Sequence, residues 1–201
     1  MNDFLFKDRD GQTPLPIELQ KALKIRTIQT IGELDEYEED NIAKGLIWLA
    51  KQKADPTQYG FWLKLHRKLF ENVWSWAGKI RTHELANPDF KPALEIWPQL
   101  YQLEQDLAAW FTSQPFSQQE IAARFHERIE TIHPFTNGNG RFGRIITEHI
   151  CRHLQYEVPT WGQKFRNDPG VRRANYIAAL NEARWQSDYI QLIGVMFTKS
   201  V

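Results

Sequence analysis

Two helical stretches of this chain meet at one segment, His133-Pro134-Phe135-Thr136-Asn137-Gly138-Asn139-Gly140-Arg141-Phe142-Gly143-Arg144. No other feature constrains the fold as tightly. Upstream, Ile121, Phe125, Ile129 and Ile132 recur at helical spacing, and Pro134 stops the run because a residue before proline avoids helical backbone. Downstream, Phe142, Ile145, Ile146, Ile150 and Leu154 form a second apolar stripe on a helix predicted to begin near Gly140. A helix end and a helix start must therefore lie close together, joined by a Gly-rich turn.

That juxtaposition has a chemical consequence. A helix start presents free N–H groups backed by about half a positive charge, which favours anions. Glycines at 138 and 140 let a ligand approach the backbone closely. Arg141 and Arg144 are one turn apart and can reach toward the same helix start. A guanidinium donates two parallel hydrogen bonds, which suits phosphate, so the implied ligand is a polyphosphate. His133, with an ordinary pKa of about 6.5, is a candidate general base, a role worth roughly 10²–10⁴-fold in rate. Each element alone has an ordinary explanation: a helix-end histidine, a tight turn, a solvated arginine face. Phe135 reads as a core anchor for the loop. A plain helix connection requires none of these types in this order.

The rest of the chain reads as all-α. Strand-like alternation is nearly absent, and the sequence suggests an N-terminal arm over 1–31 followed by one helical domain over 32–201. Thr13-Pro14-Leu15-Pro16 favours extended backbone in the arm. Helices are predicted over Ile42–Leu49, over Phe61, Leu65, Leu69 and Val73 with an end near Gly78, and from Pro98 through Phe111. Ser117 and Glu120 fit a capping box. Asp168-Pro169 opens a helix through Tyr176, Ile177 and Leu180, and Ser187 caps the last one, to about Phe197. The acidic stretch Glu33–Asp40 reads as a solvated face without function. Residues His83–Lys91, with Asn87-Pro88-Asp89, read as a loop or short hairpin.

Composition removes other classes. The 25 basic side chains balance 25 acidic ones, so the footprint expected of a nucleic-acid binder is missing. The single cysteine, Cys151, cannot form an internal disulfide and reads as a buried small hydrophobe. Met1–Gly11 lacks a signal peptide's apolar run, and Gly45–Ala50 is far short of the roughly 20 residues that span a bilayer. The expectation is a cytoplasmic protein without a membrane partner. His126, His149 and His153 read as structural or solvated, not as zinc ligands.

The pattern His-Pro-Phe-x-x-Gly-Asn-Gly-Arg-x-x-Arg resembles the signature of the Fic family at every defined position. Likeness extends to His66-Arg67-Lys68-Leu69-Phe70, to Trp74-Ser75-Trp76-Ala77-Gly78-Lys79-Ile80-Arg81 and to Tyr176-Ile177-Ala178-Ala179-Leu180, covering roughly residues 60–195. The resemblance implies a Fic-type helical bundle with a short flap hairpin before the central helix pair. It also implies a protein adenylyltransferase that moves AMP from ATP to a Ser, Thr or Tyr hydroxyl of a target protein. By similarity His133 deprotonates that hydroxyl, Gly138, Asn139 and Gly140 line the anion hole, and Arg141 and Arg144 hold the outer phosphates. The flap, His83–Lys91, docks the target's backbone as an added strand.

One position departs from the family pattern. Many relatives carry Asp or Glu two residues after the Phe, where it helps hold Mg²⁺; here it is Asn137, whose neutral amide implies weaker metal binding. Alternatives are therefore a phosphotransferase, an enzyme removing AMP, or a nucleotide-binding regulator with little activity. No Ser/Thr-x-x-x-Glu segment of the family's inhibitory type is found, which implies restraint by a separate inhibitory protein, as in toxin–antitoxin relatives. The Asn-containing motif is similar to that of the subgroup called mobile mystery protein B. Target identity and homo-oligomerisation are not encoded in any motif.

Overall fold

The structure, a computed structural model, describes residues 17–161 and 169–197. Within them the chain forms α1 (Ile17–Ala22), α2 (Ile31–Leu49), α3 (Tyr59–Phe70), α4 (Ile96–Ser113), α5 (Gln118–Ile132), α6 (Asn139–His153), α7 (Pro169–Gln186) and α8 (Ile190–Phe197). A single 3₁₀ turn, Ala93–Glu95, leads into α4. No strand occurs among the described residues; Leu23–Trp74 and Ile80–Phe135 make isolated bridges. No described helix is long and apolar enough to cross a membrane.

Helix α5 is the axis. Its Ile121, Phe125, Ile129 and Ile132 are buried in the main core with Leu65, Leu69 and Phe70 of α3 and Leu103 and Leu107 of α4. Burial of side chains this size contributes roughly 1.5–3 kcal/mol each. The other side of α5, at Ala122 and Ala123, faces a second cluster built from Cys151, Tyr176, Leu180, Leu192 and Met196. Burial pushes the Cys151 thiol up to about 12, which leaves it an inert packing group.

Several ends differ from the sequence expectation for local reasons. Helix α3 stops at Phe70 and not near Gly78, because the Asn41 side chain of α2 accepts the Asn72 N–H at 2.8 Å and turns the chain. Helix α4 begins two residues before Pro98, at Ile96. At α5 only half of the capping box forms: Ser117 Oγ accepts the Glu120 N–H, whereas the Glu120 carboxylate takes Arg124. A complete box stands instead at Thr30 and Glu33, opening α2. The acidic stretch is not all solvated, since Glu38 is buried. Residues 17–31 include a helix, and Leu23 and Ile28 lie in the core. Asp188, not Ser187, caps the start of α8 by accepting the Ile190 N–H. The expected cap at Asp168 lies outside the described residues.

Candidate active site

His133 terminates α5 in left-handed backbone, φ 48° and ψ 59°, and its N–H closes the last turn on the Ile129 carbonyl. Pro134 follows and cannot continue the helix. The His133 ring is half-buried and stacks on Phe90 of the flap, with centroids 3.6 Å apart. Its Nδ1 lies 3.2 Å from the Glu130 carbonyl oxygen. A carbonyl only accepts, so Nδ1 carries the proton and Nε2 keeps a lone pair. Burial pushes the ring's pKa down to about 4, against the opposing pull of the Glu130 carbonyl. At neutral pH His133 is therefore an uncharged acceptor.

The cradle begins six residues later in the chain. Asn139 is buried and its side chain staples the loop, accepting the Phe135 N–H at 2.9 Å and donating to the Phe135 carbonyl at 2.8 Å. That staple holds the end of α5 near the start of α6. Phe135 is fully buried, as its loop-anchor reading requires. Gly138 caps α6 at φ 78° and offers no side-chain bond to the first turn. The N–H groups of Asn139, Gly140 and Arg141 therefore make up the first turn of an uncapped helix start, a position whose chemistry suits an anion. A Cβ at Gly138 would stand 2.7 Å from the Phe70 ring. Gly138→Ala combines that clash with left-handed strain and is expected to cost about 1–3 kcal/mol, read as a lowered thermal midpoint.

The two arginines are not equivalent. Arg141 donates through Nη1 to Glu38 of α2 at 2.6 Å, and its guanidinium lies over the Phe70 ring. The other Glu38 oxygen accepts the Trp74 indole N–H at 2.6 Å. Arg141 is thus braced from α2 through one of its nitrogens, a tie that its spacing from Arg144 did not announce. Arg144 is buried; a Cβ on Gly140 would lie 3.6 Å from its Nη1, which places this guanidinium beside the cradle's second glycine. Beneath it Glu130 is buried, and burial raises its carboxyl to about 7 against the pull of Arg144 and Arg184.

Asn137 is exposed, and its Oδ1 accepts the N–H of its neighbour Gly138 at 2.7 Å. A neutral oxygen already bound to backbone is a poor donor for a hard dication. Among the described residues no three His, Cys, Asp or Glu side chains gather as a metal cage. Position 137 does not fit a resident Mg²⁺.

Four partners of the site were not legible as such. Arg81, its side chain fully buried, donates to the carbonyls of His133 (2.8 Å), His83 (2.9 Å) and Lys91 (2.5 Å). One guanidinium so ties both limbs of the flap to the backbone of His133. The flap is consequently a loop closed by a side chain, with no backbone ladder of a hairpin. Arg184 adds a second tie, reaching Asp89 at 3.2 Å and Thr131 Oγ1 at 2.8 Å. His66 lies beneath the cradle, and Glu38 beside it. Both sit on the apolar stripes of their own helices, a placement that could have signalled burial. His126 bonds Thr147 and Tyr176, and His149 stacks on Phe61, so both are packing groups.

A family model described as the Fic/DOC family matches residues 56–151. The chain is 31% identical to the protein adenylyltransferase VbhT of Bartonella schoenbuchensis over 102 residues, 47% of this chain and 21% of that protein. This chain therefore spans about a fifth of that relative's length. With the probable protein adenylyltransferase y4lH of Sinorhizobium fredii it shares 28% identity over 139 residues, 63% of this chain and 68% of the relative. The fold superposes on BepC of Bartonella tribocorum, a translocated effector solved with bound AMPPNP. That match has a TM-score of 0.63 and 19% identity, covering 100% of this chain and 99% of the other.

Proposed function

Residues 56–151 are a Fic/DOC-family domain, and from that premise we propose that the protein transfers AMP from ATP to a Ser, Thr or Tyr hydroxyl of a target protein. The observation that carries this reading is the state of His133: neutral, its proton held on Nδ1 by the Glu130 carbonyl, its Nε2 lone pair ready to accept. The hydroxyl oxygen bonds to the α-phosphorus while the bond from that phosphorus to the bridging oxygen breaks. Pyrophosphate leaves, and the hydroxyl proton passes to Nε2. Charge spreading over the phosphoryl oxygens is met by the first-turn amides of α6 and by Arg144, so the protein acts mainly by positioning and electrostatics. Mg²⁺ enters as part of the ATP substrate.

The relatives named protein adenylyltransferase support the reaction class. The flap, fixed to the base through Arg81, is the proposed seat of the target's backbone. Incubation with a cell lysate and α-labelled ATP tests the proposal: label should appear on protein. Transfer from γ-labelled ATP instead identifies a phosphotransferase. A second reading, a nucleotide-binding regulator with little turnover, is favoured by Asn137 and by the engagement of Arg141 with Glu38. It predicts nucleotide binding without label transfer. Asn137→Asp adds an anionic oxygen and is expected to lower the Mg²⁺ concentration for half-maximal transfer severalfold. An unchanged Mg²⁺ requirement would mean that position 137 does not reach the ion.

A further inference from the structure

His66 stands outside the 133–144 segment, on α3, and is fully buried. Its Nδ1 accepts the Gly78 N–H at 2.9 Å. An accepting nitrogen bears no proton, so the neutral ring carries its hydrogen on Nε2. That nitrogen lies 3.1 Å from the Asn137 carbonyl oxygen, to which it donates. The ring lies flat on Phe135, with centroids 3.5 Å apart and planes at 10°. Phe70, one turn further along α3, forms the wall under Gly138. One face of α3 therefore supports the whole turn into α6.

We propose that His66 is the positioning residue of the anion cradle, fixing the Asn137 carbonyl from the interior so that the amides entering α6 are presented to phosphate. The Asn137–Gly138 peptide is planar and trans, so its C=O and N–H point in opposite directions. Holding the oxygen inward turns the Gly138 N–H outward, where the exposed Asn137 Oδ1 accepts it. The device needs a neutral ring, because a proton on Nδ1 would set donor against donor at Gly78. Burial keeps the ring neutral by pushing its pKa down to about 3. Gly78 holds φ 74°, and a Cβ there would stand 2.5 Å from that of Arg67, so the position suits glycine.

The proposal rests on the nucleotide-handling reading of the site but can be separated from it. Calorimetric titration of ADP compares the wild-type chain with His66→Phe and His66→Gln. Phenylalanine retains the stack on Phe135 and loses both polar bonds; glutamine offers an N–H donor toward Asn137. The Phe variant should fold yet bind ADP about tenfold more weakly or worse, from loss of a buried hydrogen bond, with Gln recovering much of it. Wild-type affinity in a folded Phe variant overturns the proposal, as does a Gln variant no better than Phe. A wild-type chain that binds no ADP removes the nucleotide reading instead. Amide hydrogen exchange at residues 138–141 then decides for His66: faster in Phe than in Gln supports it, and no difference overturns it. Should the Phe variant fail to fold, the ring nitrogens of wild-type His66, read by ¹⁵N spectroscopy, decide the matter. A proton on Nδ1 defeats the proposal, and one on Nε2 upholds it.

Discussion

Replacement of His133 by alanine is expected to reduce label transfer from ATP by about 10²–10⁴-fold, the range for loss of a positioned general base. The expectation depends on tautomer and burial together. With Nδ1 committed to the Glu130 carbonyl, Nε2 is the ring's one acceptor, and alanine supplies none. A base held near pKa 4 is weak in solution terms, but a loose phosphoryl transition state asks for little proton removal early in the displacement. Its service is to be neutral, oriented and available at every working pH. Nucleotide affinity should change little in the variant, because the cradle amides and Arg144 remain. Rates of wild type and His133→Ala, measured at saturating ATP beside calorimetric ADP binding, separate the two effects. Full transfer by the alanine variant would remove His133 from its role. The rate should also show no acid limb from this imidazole near 6.5, since the ring is already uncharged there.

Much of the site was legible because it is local. The helix faces of α5 and α6, the stop at Pro134 and the uncapped glycine start are written within a few residues of one another, where periodicity and backbone chemistry decide the outcome. What escaped was long-range pairing. Glu38 and Arg141 lie 103 positions apart, His66 and Asn137 lie 71, and Arg81 and His133 lie 52. Spacing cannot choose among such partners. It could, however, have shown that Glu38 does not belong to the solvated face: Ile31, Leu34, Glu38, Ile42, Gly45 and Leu49 form one buried stripe of α2. A charge inside an apolar stripe needs a partner, and a buried cation was required somewhere. The end of α3 failed for a related reason. Its apolar periodicity runs on to Val73, yet one side chain from α2 takes the Asn72 N–H and turns the backbone.

The same buried groups make the fold acid-sensitive, and this is the larger thermodynamic effect expected. His66, His126 and His133 are pushed down to about 3, 3 and 4, all chiefly by burial, whereas an unfolded histidine titrates near 6.5. A histidine shifted this way contributes stability above its unfolded pKa and loses it as pH falls, because the unfolded chain takes up the proton first. Glu130 acts in the opposite sense. Its carboxyl is raised to about 7 from 4.5, so between those values the folded state holds the extra proton and gains stability in acid. Between pH 6.5 and 4.5 the unfolded chain binds three protons on histidines and the folded one binds one on Glu130. A net uptake of two protons corresponds to about 3 kcal/mol lost per pH unit, or roughly 5 kcal/mol across the window, comparable with the whole stability of a modest domain. Urea unfolding at pH 7.5, 6 and 5 should show that decline, and Glu130→Gln should steepen it by one proton. A stability that stays level down to pH 5 would mean that these three rings are not buried neutral groups, which would also withdraw the tautomer assigned to His133. Because unfolding sets in above the pKa of His133, acid loss of transfer should track loss of the fold and not protonation of the base.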